Sequence, residues 1–177
     1  TFLLKHEIDT GNLIFQERVE IGPNMTAGEL HDQLMYTGAD LLVKTVEAMA
    51  VGDYPLQDQG GLLAGREPKH APKIFKEDMK VDWSLGVDAI FNHIRGLSPF
   101  PTAWTEFRNK KNGEIVSLKI FETERIVKDH GKEVGLSTDN KTYLDVLVKG
   151  GVIRMSGKKR MKTEEFLRGF HIEDYSL

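Results

Sequence analysis

Apolar positions recur along the chain with two different periods, and the change of period divides it. Leu30, Leu34, the adjacent pair Leu41 and Leu42, Val46 and Met49 recur at steps of three, four or seven, with Thr45 on the same stripe. That is the spacing of one helical face. Thr26 followed by Glu29 has the form of a capping box and sets the predicted start; Gly52 sets the end, and Gly38 marks a place for a bend. Ahead of this helix, Phe2 to Lys5 and Leu13 to Ile21 are rich in apolar and β-branched residues and flank the turn-forming run Asp9-Thr10-Gly11-Asn12. They predict two strands joined by a tight connection. Two strands and a helix are too few to close a sheet, so the stretch reads as the closing units of a larger α/β layer. The opening Thr1-Phe2-Leu3-Leu4 reads as a strand already under way, and the natural start is expected to be missing.

From Tyr54 to Pro72 the periodicity lapses, and Pro55, Gly60-Gly61, Gly65, Pro68 and Pro72 punctuate a predicted linker. Val87, Ile90, Phe91 and Ile94 then form one apolar stripe of a second helix, with Ser84 as its predicted cap and Gly96 and Pro99 at its end. Beyond Pro101 come short β-type runs, 102–107, 115–121, 142–148 and 151–155, separated by Asn112-Gly113, Asp139-Asn140 and Gly150-Gly151. Short strands at this spacing predict a small β-barrel. A last short helix follows Thr163 through Phe166 and Leu167 to Gly169. The predicted organisation is an α/β segment over 1–53, a linker over 54–73 and a barrel domain with a leading helix over 74–177.

Composition adds limits. With 177 residues and 40% hydrophobic content the chain can bury a core. The absence of cysteine removes disulfides and Cys-based metal sites and favours a reducing compartment, the cytoplasm. No apolar run approaches the roughly 20 residues that span a bilayer, so no membrane partner is expected. The net charge of −3 is unevenly spread: residues 1–73 hold 6 Lys+Arg against 11 Asp+Glu, net −5, and residues 74–177 hold 18 against 16, net +2. A mildly basic half points to an anionic partner without amounting to a dedicated nucleic-acid-binding domain.

The candidate chemistry is sparse. Asp9 sits at the mouth of a strand connection, where open α/β sheets place functional groups; a carboxylate there can orient a histidine, and its bland role is to cap its own turn. The six histidines show no ligand spacing, so no metal is expected, and neither a G-x-G-x-x-G nor a P-loop occurs. Lys158-Lys159-Arg160-Met161-Lys162 is the densest basic run, suited to phosphates or to a solvated turn. Trp83, Phe100 and Trp104 lie beside the apolar helix stripe and are expected in the core.

Taken in order, these pieces resemble the methionyl-tRNA formyltransferase family from one end of the chain to the other. Ile8-Asp9-Thr10-Gly11 is similar to the family's catalytic Asp segment, Thr26 to His31 to the start of the following helix, and Ala71-Pro72-Lys73-Ile74 to the end of the linker. Val81-Asp82-Trp83-Ser84, Ile94 to Pro101, Gly157 to Met161 and Glu165 to Gly169 match successive signatures of the C-terminal part.

The resemblance implies the end of a Rossmann-like formyltransferase domain followed by an OB-fold-like barrel that helps hold tRNA. It implies transfer of a formyl group from 10-formyltetrahydrofolate to the amino group of methionine on initiator methionyl-tRNA, by a monomeric cytoplasmic enzyme. Of the family's catalytic Asn, His and Asp it supplies only Asp9 here. His6 does not match the His motif, and the Asn-x-His and Ser-Leu-Leu-Pro stretches are expected upstream of Thr1. No folate site is therefore expected in this stretch, nor catalysis by it alone. Carried over, Lys73, Lys158, Lys159 and Arg160 are implied phosphate contacts, and Arg95 ranks lower because it also fits a packing role at a helix end. A related folate-dependent enzyme acting on an amino sugar or on the formyl donor, and a non-catalytic RNA-binding barrel, remain alternatives at this point.

Overall fold

The computed structural model describes residues 1–63, 65–156 and 161–177. They form two compact units, Thr1–Pro23 with Glu29–Lys73, and Asn24–Gly28 with Ile74–Leu177.

The predicted first helix is α1, Ala27–Val51, which passes through Gly38 without a break. The two predicted strands do not form. A ladder needs neighbours on which to propagate, and here the backbone pairs only at isolated bridges, Phe2 with Leu13 and Leu13 with Gln57. The segment from 54 to 72 is not wholly irregular either, because Gln59–Leu63 makes the short helix α2. Burial in the first unit is slight: Gly11, Ile14 and Thr45 are buried, while Leu34, Leu42, Val46 and Met49 of α1 are all more than two-fifths exposed.

The second unit has the larger core. Helix α3, Val87–Leu97, buries Val87, Ile90, Phe91, Ile94 and Leu97. Its start corrects the sequence reading, since Gly86 occupies the N-cap position without any side-chain cap. Ser84 is engaged elsewhere, its N–H and hydroxyl both donating to Asp82 Oδ1 at 2.9 and 2.6 Å. The Val87 N–H instead donates to Lys149 O at 2.9 Å, so a distant turn satisfies the helix terminus.

Among the described residues seven strands follow: β1 Ala103–Asn109, β2 Ile115–Ile120, β3 Glu122–Val127, β4 Gly135–Thr138, β5 Leu144–Val148, β6 Gly151–Ser156 and β7 Tyr175–Ser176, with α4, Thr163–Gly169, before the last. They make an antiparallel sheet ordered β2-β1-β7 and another ordered β3-β6-β5-β4. Only Phe121 separates β2 from β3, so one nearly continuous strand passes from sheet to sheet, the device by which two sheets share a corner. Gly151 opens β6 because nothing larger fits there: a Cβ would lie 2.3 Å from Ile126 O and 3.0 Å from the Val87 side chain.

The main core joins α3 to Val81, Trp83, Ala103, Ile120, Val146, Val148 and Ile153. A second cluster of Phe107, Leu144, Leu167 and Ile172 lies under α4, with Phe166, Phe170 and Tyr175 stacked in series at its edge. On the far face of the second sheet, the Arg154 guanidinium donates from Nε and Nη2 to the two oxygens of Asp145 at 2.8 and 2.9 Å and lies over the Tyr143 ring. Trp83 is in the core as expected, its indole N–H donating to Thr105 Oγ1 at 2.8 Å. Phe100 is not: it is 83% exposed on the loop between α3 and β1. Trp104 is only half-buried, because β1 turns it away from the side that carries Ala103, Thr105 and Phe107 inward.

Candidate functional site

Asp9 lies at the tip of an exposed loop with φ of 59°, a left-handed conformation that Asp tolerates better than most residues. Three features hold this loop. Leu3 N–H donates to Asn12 O at 3.0 Å, and Gly11 passes so close to Leu3 that a Cβ there would fall 1.5 Å from its carbonyl oxygen. Thr10 Oγ1 donates to Glu7 O at 3.0 Å. The Gln59 amide then donates from one nitrogen to both Asp9 O at 2.9 Å and Gly11 O at 2.6 Å. Gln59 starts α2 and lies beyond Gln57, whose backbone pairs with Leu13 through two 2.9 Å hydrogen bonds. The loop is thus clamped through its carbonyls, which leaves the Asp9 side chain uncommitted: its carboxylate makes no hydrogen bond or ion pair among the described residues. No hydrogen bond from this side chain to the backbone of its own turn is present among the described residues. Gln59 was missed by the sequence reading, since nothing in its neighbourhood points to a partner 50 residues away.

The candidate cations scatter more widely. Lys73 is exposed at the end of the first unit. Arg95 is committed within the second unit, its Nη1 donating to Met25 O at 2.7 Å and its Nε to Asn92 Oδ1 at 2.7 Å, the packing role that the sequence allowed it. Lys158, Lys159 and Arg160 lie outside the described residues. Among those described, no group of three or more His, Asp or Glu side chains is placed to hold a metal ion, and no helix is long and apolar enough to cross a membrane.

The helix, the paired antiparallel sheets and the sequence they carry define the class. The chain belongs to the family defined by the formyl transferase C-terminal domain, whose pattern matches residues 73–171. Over nearly its whole length it is similar to methionyl-tRNA formyltransferases. It is 45% identical to that of Phocaeicola vulgatus over 98% of this chain and 56% of that protein, and 43% identical to that of Bacteroides fragilis over 98% and 55%. With the enzyme of Azobacteroides pseudotrichonymphae it shares 45% identity over 96% of this chain and 54% of that protein. The chain thus spans about half the length of these relatives and matches their C-terminal part.

Proposed function

We propose that this chain is the C-terminal part of an enzyme that transfers a formyl group from 10-formyltetrahydrofolate to the amino group of methionyl initiator tRNA in the cytoplasm, acting as a monomer at the start of translation. The observation that carries this reading is similarity to methionyl-tRNA formyltransferases at 45% identity along 98% of the chain, the Asp9 segment included. On this reading residues 1–53 close a Rossmann-like catalytic domain, 54–73 link it, and 74–177 form an OB-like barrel. The exposed apolar residues of α1 support the first part, because a helix face of this kind ordinarily packs on a sheet.

Asp9 then serves as the carboxylate that orients a catalytic histidine supplied by another part of the enzyme. The methionine amine attacks the formyl carbon, its proton passes to that histidine, and the C–N10 bond breaks as a proton is returned to N10 of the folate. A fixed carboxylate beside the imidazole selects its tautomer and stabilises its protonated form. Because these 177 residues contain no Asn-x-His, the chain alone binds no folate and transfers no formyl group.

The barrel binds tRNA through phosphates, with Lys73, Lys158, Lys159 and Arg160 as contacts and Arg95 as a lesser one. Replacing Lys158, Lys159 and Arg160 together by Ala is expected to weaken initiator and elongator tRNA alike and to lower the slope of log K against log salt by up to about three contacts. Filter-binding titrations of wild type and triple variant test this, and superimposable curves would remove the run from the RNA site. For the domain boundary, limited proteolysis is expected to cut between Tyr54 and Pro72 and leave a resistant fragment beginning near residue 74. Preferred cleavage within 84–155 would refute that division.

A further inference from the structure

We infer that the outer face of the β1–β2 hairpin binds a single-stranded stretch of RNA, with a base stacked on Trp104 and phosphates on Lys76, Lys119 and Arg108. The inference rests on the tRNA reading above and adds a second contact surface to it.

Strand alternation builds the face. Ala103, Thr105 and Phe107 point into the core and are at most 2% exposed, so Trp104, Glu106 and Arg108 point outward. Directly opposite them in the antiparallel register stand Lys119, Ser117 and Ile115. The indole is fixed in place: its N–H donates to Lys76 O at 2.9 Å, and the backbone of Trp104 accepts from Val81 N–H at 2.9 Å. Lys76 Nζ and Lys80 Nζ stand 5.4 and 5.1 Å from the ring centroid.

The charges on this face favour an anion. The one outward carboxylate of the strand pair, Glu106, is matched by Lys80 Nζ at 2.5 Å. Lys119 and Arg108 are exposed, and their side chains make no ion pair or hydrogen bond among the described residues. Of the two acids between the lysines, Asp78 accepts the Phe75 N–H at 2.8 Å, and Glu77 lies on the same short turn. Lys76 and Lys80 thus stand over a rigid aromatic ring, Lys119 stands opposite it in the register, and Arg108 lies farther along the same face. A solvated ammonium over a half-buried ring is held more weakly than a stacked nucleobase, so a base can take the ring face while Lys76 turns to its phosphates and Lys80 stays with Glu106. From Trp104 to Arg108 the strand runs roughly 13 Å, room for a short single strand but too little for a duplex docking surface. Stacking tolerates any base, so the site reads no sequence.

The test uses the 177-residue chain, a U8 oligoribonucleotide and uncharged tRNA, with tryptophan emission as the readout. Trp83 is buried and serves as an internal reference, so Trp104→Phe isolates the emission of Trp104. Saturable quenching of wild-type emission by U8 is expected. Trp104→Leu is expected to weaken U8 about tenfold, whereas Trp104→Phe, which keeps a ring, retains most of the affinity. The exposed pair Lys76→Gln with Lys119→Gln, which leaves the core untouched, is expected to flatten the salt slope by about two contacts. If wild type binds tRNA while its emission stays constant and all three variants match it, this site is refuted and the tRNA reading stands. If wild type binds neither RNA at low salt, the tRNA reading itself fails.

Discussion

Asp9→Asn, placed in the full-length formyltransferase, is expected to lower kcat by about three to four orders of magnitude while leaving KM for tRNA and for the formyl donor near wild type. Asn is the right substitution because it tolerates the left-handed backbone at φ 59° as Asp does, so the loop survives and only the charge is lost. On the proposed role, an amide would still reach the imidazole but would stabilise neither the required tautomer nor the cation. Gln59→Leu probes the same site from behind. The carboxylate remains, yet the carbonyls of Asp9 and Gly11 lose their shared donor, and a loop displaced by about 1 Å is expected to cost on the order of a hundredfold. Steady-state kinetics on both variants decide the matter, since a near-normal rate for Asp9→Asn would reduce the residue to a turn former.

The second large effect concerns stability. Arg154→Ala is expected to destabilise the second unit by about 3 kcal/mol, and Asp145→Ala by only about 1 kcal/mol. The pair is the same in both cases, but its two members are not equally exposed: the Asp145 side chain is 10% accessible and that of Arg154 39%. Removing the guanidinium strands a carboxylate that water barely reaches, whereas removing the carboxylate frees a guanidinium that can turn to solvent. In a unit of this size, each kcal/mol moves Tm by roughly 4–8 °C. Both tryptophans lie in the second unit, so fluorescence-monitored melting follows it directly. Equal losses in the two variants would overturn the argument from unequal exposure, since the Arg154 stacking on Tyr143 is lost only with the guanidinium.

What could be read from the residues follows from how local each signal is. Helices α1 and α3 were legible because their apolar stripes repeat within a few residues. Strands β1, β2, β5 and β6 were legible because each carries enough β-branched or aromatic residues between turn dipeptides. Glu122–Val127 escaped because its polar and charged positions outnumber its apolar ones, and it is a strand through its six pairings with β6. Gly135–Thr138 escaped because four residues beginning with Gly carry no pattern at all. The same limit explains the false strands near the start: Leu13 to Ile21 has the composition of a strand, but among the described residues no partner extends the ladder. At the candidate site the turn that carries Asp9 was legible from its residues, whereas Gln59 holds that turn from a separation that no local rule covers. Trp104 was misplaced because alternation along β1 depends on which neighbours are inward, and that is settled only by the sheet.

Strand β7 constrains the order of events during synthesis. Tyr175 and Ser176 pair with Asn109 and Arg108, so β1 keeps an open edge until residues more than sixty positions later have been made. Every other ladder of the unit joins strands closer in sequence, and these can form on the emerging chain. Closure of the first sheet is therefore a late step, made slow by the loop it must complete and exposed until then to pairing with foreign strands. Nascent chains that stop before Tyr175 would carry a formed core and an unguarded edge, a combination that a protein quality-control system can distinguish from the finished unit.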